Sequence, residues 1–252
     1  MNKNMDEGEN ATQETRLETA AHECAKKRFK VYTKTGDDGH ASLYNLERRP
    51  KADQVFDCLG DCDETNVAVG LARVHAYDYF MDRKMRSLRA GDWLMKAKAV
   101  SVKTEAEAEE EEEKCFEDVL ENLKEIQSRL LDIGSAIATP ITSAKSSKQM
   151  LLRCKFDERH CEMLEKWIDS YEDELPALTQ FLCPGGTKFA AFLHQARAIC
   201  RRCERKVQPM VESGDCEKQV QQYLNRLSDY FFVVARIANQ RVNVLDVPYK
   251  KA

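Results

Sequence analysis

The chain has 252 residues, a net charge of −4, 42% hydrophobic residues and ten cysteines. That length accommodates one large or two small domains with a packed core. The acidic balance excludes a general nucleic-acid binder, no apolar run is long enough to cross a bilayer, and the scattered cysteines follow no secreted framework, so they are expected as reduced thiols in an intracellular protein.

Residues 1–27 are polar and acid-rich, expected to be disordered or weakly helical, and lack the basic amphipathic character of a transit peptide. The stretch Tyr32-Thr33-Lys34-Thr35-Gly36-Asp37-Asp38-Gly39 follows. Its glycines, hydroxyls and lysine suit a loop that wraps phosphate with backbone donors, although a generic glycine-rich turn has the same composition. The spacing is not that of a P-loop. Lys51, after Arg48-Arg49-Pro50, adds a cation. A helix is predicted from Asp53, with Val55, Leu59, Val67 and Leu71 inward and with Asp63 and Glu64 within it.

Residues 75–114 read as an insertion. They begin with Tyr77, Tyr79, Phe80, Arg83, Arg86, Arg89 and Trp93 and end in the acidic tract Glu105 to Glu113. Such a block repels itself and stays solvated, as a linker or an extended helix surface; docking a partner is the alternative.

The next helix is predicted over Phe116 to Ile137. Phe116, Val119, Leu123, Ile126, Leu130 and Ile133 form its apolar stripe, and Pro140 stops it. Asp157 caps another, with Cys161, Leu164, Ile168 and Tyr171 inward and Pro176 beyond its end. Pro184-Gly185-Gly186 is a turn, an arginine-bearing helix runs to about Val211, and Gly214-Asp215 breaks and recaps the chain. In the last helix Val220, Leu224, Leu227, Phe231 and Val234 repeat in near-heptad fashion. No strict alternation with hairpin turns occurs, so sheet is minor and the pattern is that of an all-α bundle.

The arginine-bearing helix sets Arg197, Arg201 and Arg205 four residues apart on one face, with Arg202 and Glu204 beside them. Like charges at that spacing suit a polyphosphate, whose oxygens accept the planar fork two at a time; a solvated basic face is the bland alternative. Cys200 and Cys203 form a lone Cys-x-x-Cys inside the helix and read as small helix residues rather than zinc ligands. Asn225 and Asp229 place an amide and a carboxylate on a common face, which also suits an ordinary polar surface.

Seven segments together resemble the PduO-type ATP:cob(I)alamin adenosyltransferases: Thr33 to Gly39, Arg48-Arg49-Pro50-Lys51, Gly60-Asp61-Cys62-Asp63-Glu64, Arg129 to Pro140, Leu175-Pro176, the helix through Arg205, and Asn225 to Asp229. The resemblance covers Lys30 to Gly70 and Leu120 to Asn239. It implies a five-helix bundle in one domain over residues 28–244, with the charged insertion between the first two core helices and a tail at 245–252. It also implies a homotrimer with active sites between subunits, ATP bridging the loop of one chain and the arginine helix of its neighbour. The reaction implied is transfer of the 5′-deoxyadenosyl group of ATP to cob(I)alamin. A non-catalytic nucleotide- and corrinoid-sensing bundle is the alternative.

By resemblance, Thr33, Lys34, Thr35, Gly36, Ala41, Ser42, Lys51, Arg201, Arg202, Cys203, Glu204, Arg205 and Asn225 contact ATP. Arg197, Arg201 and Asp229 form the catalytic set, Asp63 pairs with Arg197 across the interface, and Glu204 helps to hold Mg²⁺. Asp229 lies near the corrinoid, and Phe181 is an apolar wedge above the corrin; core packing is its bland alternative. The resemblance further suggests mitochondrial placement, with the cytoplasm as alternative, and hand-over of product to a B12-dependent mutase.

Overall fold

The computed structural model describes residues 32–94 and 116–251, apart from the side chains of 80–94. The N-terminal extension, the aromatic and basic residues from Phe80 to Trp93 as side chains, and the acidic tract from Glu105 lie outside the described residues. The chain divides into two compact units, one up to Ala41 and one from Ser42 onward.

In the first unit, residues 35–39 form successive turns, with the Asp37 amide donating to the Lys34 carbonyl and the Gly39 amide to the Gly36 carbonyl. Lys34 (φ 58°) and Gly39 (φ 82°) take left-handed backbone conformations, and Thr33 and Thr35 share a hydroxyl hydrogen bond of 2.8 Å. The Asp38 carboxylate accepts from the His40 amide at 3.0 Å. Strand β1 (His40–Ser42) straddles the division between the units.

The second unit continues with β2 (Arg48–Pro50), α1 (Gln54–Leu94), α2 (Glu117–Ile137), α3 (Lys148–Cys154), α4 (Arg159–Glu172), β3 (Leu182–Cys183), α5 (Lys188–Glu212), α6 (Lys218–Gln240) and β4 (Val247–Pro248). Five of these helices are long and α3 is a short connector, so the expected all-α five-helix bundle is the architecture. The central pair is α5 on α6; α1 packs on α5, α4 on α6, and α2 on α1. Strands β3 and β4 pair antiparallel, Leu182 opposite Pro248 and Cys183 opposite Val247. Among the described residues no helix is long and apolar enough to cross a membrane.

The apolar stripes of α2 and α6 are buried as their spacing predicts, from Phe116 to Ile133 and from Val220 to Val234. The Asp157 carboxylate, one residue before the N-cap position Glu158, accepts from the Arg159 amide at 2.9 Å, and Leu164, Ile168 and Tyr171 face inward. Gly214 (φ 79°) does break the chain after α5. Asp215, however, does not cap α6: its carboxylate bonds the Thr142 hydroxyl, and α6 begins after Glu217 without a side-chain cap.

Two expectations for α1 change. Val67 and Leu71 are exposed; the buried face consists of Val55, Cys58, Cys62, Ala68, Val69, Ala72 and Ala76. Those small side chains let α1 approach α5, which answers with Cys203, its thiol directed at the Cys58 carbonyl. The helix also runs unbroken through residues 75–94, so of the linker and the extended helix left open for the insertion, its first half takes the helix.

Candidate active site

The Thr187 hydroxyl caps α5 by accepting from the Ala190 amide, and the helix then runs straight past α6. Its pitch divides the arginines between two sides. Arg197 and Arg201 enter a cleft of about 550 Å³ between α4, α5 and α6, whose other lining includes Glu165, Arg226, Asp229 and Phe232. Arg226 lies between two carboxylates, with Nε 2.9 Å from Glu165 and a terminal nitrogen 3.6 Å from Asp229.

Arg197 is half-buried, and its guanidinium carbon lies 5.9 Å from the centroid of the Phe232 ring. Its Nε is buried without a hydrogen-bond partner among the described residues. Burial first, and then the neighbouring Arg201, hold the Arg197 pKa below its ordinary value, with Asp229 opposing. Two guanidinium groups therefore meet in a cleft that also carries the carboxylates of Glu165, Asp169, Glu172 and Asp229, and the buried Arg197 donor without a partner costs free energy until an acceptor arrives.

Arg202 goes elsewhere. It reaches α1, where Nε sits 3.1 Å from Asp61 Oδ2 and a terminal nitrogen bonds Glu64. Lys206 joins the same Asp61 oxygen at 3.3 Å. Arg202 was expected with the polyphosphate ligands; a 100° step per residue turns it toward α1 instead. Cys203 is corrected for the same reason. Its thiol is fully buried and directed at the Cys58 carbonyl, so it faces no ligand. Cys200 is equally buried and donates to the Leu224 carbonyl, consistent with a small residue inside a helix packing.

Arg205 is exposed, and one guanidinium nitrogen bonds the Arg201 carbonyl at 3.1 Å. Glu204 and Asn225 hold each other: the Asn225 amide donates to Glu204 Oε1 at 2.9 Å, with Gln221 at 3.4 Å. Asn225 lines an adjoining cleft of about 390 Å³ that shares Glu165 and Arg226 with the first. Among the described residues no group of three or more His, Cys, Asp or Glu is arranged to hold a metal ion.

Of the remaining expected residues in the second unit, Ser42, Lys51, Asp63 and Phe181 line neither cleft. Ser42 and Lys51 are exposed, Lys51 in the turn before α1, whose first residue Gln54 bonds the Lys206 carbonyl at 3.0 Å. Thr33, Lys34, Thr35, Gly36 and Ala41 belong to the first unit. Asp63 is exposed and in line with the exposed Val67, Leu71 and Val74. Phe181 is 84% exposed, on the connection between α4 and α5, and lines neither cleft. The bland alternative for it, core packing, is therefore excluded within the chain. Sequence reasoning missed Glu165, Arg226 and Phe232. For the last two the available signal was their position three residues either side of Asp229, on one helical face.

Five packed helices, with a cleft that gathers three arginines, four carboxylates and an aromatic ring, define a helical-bundle protein with a densely charged cleft beside an apolar surface. The chain belongs to the cobalamin adenosyltransferase family, whose model matches residues 31–238. It is 39% identical over 222 residues to the corrinoid adenosyltransferase MMAB of Mus musculus, covering 88% of this chain and 78% of that one. It is 34% identical over 224 residues to the corrinoid adenosyltransferase of Bacillus subtilis, covering 89% and 94% respectively. The structure of a variant PduO-type ATP:corrinoid adenosyltransferase from Lactobacillus reuteri complexed with cobalamin and ATP superposes with a TM-score of 0.67 at 29% identity, over 88% of this chain and all of that one.

Proposed function

We propose that this chain transfers the 5′-deoxyadenosyl group of ATP to cob(I)alamin, giving adenosylcobalamin and triphosphate. The observation that carries this is the Arg197–Arg201 pair, with the Arg197 Nε donor unsatisfied among the described residues, in a cleft of a chain that belongs to the family. The cobalt(I) lone pair forms the Co–C bond at the ribose 5′ carbon as the C–O bond to the triphosphate breaks. The nucleophile is the substrate's own, so the protein needs no Ser, Cys or His to attack. Its task is to orient the two substrates and to stabilise charge growing on the departing triphosphate.

Arg201 and the exposed Arg205 are assigned to that charge, with Thr33, Lys34, Thr35, Gly36, Ala41, Ser42 and Lys51 binding the nucleotide. The Glu204–Asn225 pair keeps both side chains in fixed rotamers at the nucleotide's edge. Arg202, tied to Asp61 and Glu64, acts indirectly, by holding α5 against α1. Mg²⁺ would be carried chiefly by phosphate oxygens, with Glu204 as its one protein carboxylate, and would neutralise the leaving group. Asp229 and Phe181 are assigned to the corrinoid side.

The active assembly is proposed to be a homotrimer with sites between subunits. On α1, Asp63, Val67, Leu71 and Val74 form an exposed stripe with a carboxylate at one end, a surface suited to a second copy whose Arg197 meets Asp63. Mitochondrial placement is the proposal for the cell, cytoplasm the alternative, with subcellular fractionation as the test.

The deciding experiment incubates the protein with ATP and chemically reduced cobalamin and follows the visible spectrum of adenosylcobalamin. Product forming at a rate dependent on both substrates is expected. Tight ATP binding without any adenosylated product would replace the enzyme with a sensor.

A further inference from the structure

The connection from α4 to α5 carries Phe181 at its exposed centre, and its two ends are fastened to α6 by two buried polar residues. At the first end, an Arg236 terminal nitrogen donates to the Pro176 carbonyl at 2.7 Å. At the second, Asn239 Oδ1 accepts from the Thr187 amide at 2.9 Å and from its hydroxyl at 3.1 Å, while Nδ2 donates to the Gly185 carbonyl at 3.2 Å. Arg236 is 6% and Asn239 2% exposed, so these bonds are made where water competes little.

One carboxylate joins the two fastenings. Asp246, beyond the end of α6, places Oδ2 3.3 Å from Arg236 Nε and Oδ1 3.0 Å from Asn239 Nδ2. The chain that follows it closes the arrangement: β4 pairs with β3, and the Tyr249 amide donates to the Phe181 carbonyl at 2.8 Å. Arg236 and Asn239 continue the α6 face that bears Asp229 and Phe232, at steps of three and four residues. The Phe181 segment is therefore registered, through Asp246, against the same helix that supplies the cleft's carboxylate.

We propose that Asp246 is a positioning residue for the corrinoid side of the reaction, acting through Arg236, Asn239 and the β4 clasp to fix where Phe181 stands. The proposal rests on the adenosyltransferase reading above. It requires no contact between Asp246 and either substrate.

The test compares wild type, Asp246→Ala and Tyr249→Pro, the last removing the amide donor at the chain's edge together with the phenol ring, with Tyr249→Ala as the control for loss of the ring. Asp246→Ala and Tyr249→Pro should both raise KM for cob(I)alamin about tenfold or more and leave KM for ATP within about twofold, as expected for a misplaced positioning element. Hydrogen exchange of the amides in residues 177–187 should quicken in both variants while that of α6 stays slow. Equal changes in the two KM values, or no change in corrinoid KM, overturn the proposal. Unaltered exchange across residues 177–187 overturns it as well, and that measurement decides even if the wild type forms no adenosylcobalamin and the functional reading itself fails.

Discussion

Asp61 on α1 and Arg202 on α5 are bound at 3.1 Å, so one of the two adjacent arginines at the centre of α5 is committed inside the chain. Its neighbour Arg201 lines the cleft. The pair separates structure from chemistry. Arg201→Ala is expected to lower turnover by about two to three orders of magnitude with little change in melting temperature. Arg202→Ala leaves the buried Asp61 with Lys206 as its remaining cation, so it should lower the melting temperature, and its loss of turnover should be the smaller. Steady-state kinetics and thermal unfolding of the two variants side by side measure this.

Phe181 stabilises little within the chain because so little of it is buried. Phe181→Ala should change unfolding free energy by no more than about 0.5 kcal/mol, as for other surface substitutions. If the side chain meets the corrin, turnover with cob(I)alamin falls by at least about tenfold in the same protein. Denaturant melts and single-turnover spectra provide the two readings.

Thiol chemistry reports the packing of α1 on α5. Burial pushes the Cys58 thiol up to about 12, and Cys62, Cys200 and Cys203 are buried with it, whereas Cys183 is exposed on β3. At neutral pH a maleimide reagent is expected to label Cys183 rapidly and these four only on unfolding. Mass spectrometry of the labelled peptides checks the order.

Acid acts on the segment just before β2. Arg49 first, then Ser143, hold the Glu47 carboxyl at about 2, against its usual 4.5. A depressed carboxyl contributes stability that is present above its unfolded value and lost as the pH falls through its folded one. Wild-type stability should therefore decline from about pH 4.5 toward pH 2, and Glu47→Gln should be less stable at pH 7 and show a shallower decline. Chemical denaturation across that range tests the sign.

Two glycines should respond in opposite ways to the same change. At Gly186 (φ 92°) an added Cβ would collide with the Asn239 amide, so Gly186→Ala should cost at least about 2 kcal/mol and loosen the α4–α5 connection. Gly60 lies in α1 with open space around it, and Gly60→Ala should stabilise by about 0.5–1 kcal/mol through helix propensity. Urea titrations of both variants decide it.

The sequence alone determined the helices and the faces that large apolar residues bury. The stripes of α2 and α6 repeat at the helical period, and nothing but a packed neighbour satisfies such a stripe. It also placed Arg197, Arg201 and Arg205 on one side of a helix, because backbone pitch is a local property. Only the tertiary structure decided which α1 face is buried. That helix is apolar on two sides, and the small side chains of Cys58, Cys62, Ala68 and Ala72 fill the interface that Val67 and Leu71 were expected to occupy. It likewise decided that Arg202 and Cys203 turn to α1, that Glu204 is bound to Asn225, and that Asp246 ties Arg236 to Asn239. Those partners lie 7 to 145 residues apart, and which of them meet is set by the packing of helices and the chain that follows them, an outcome that no helical spacing encodes.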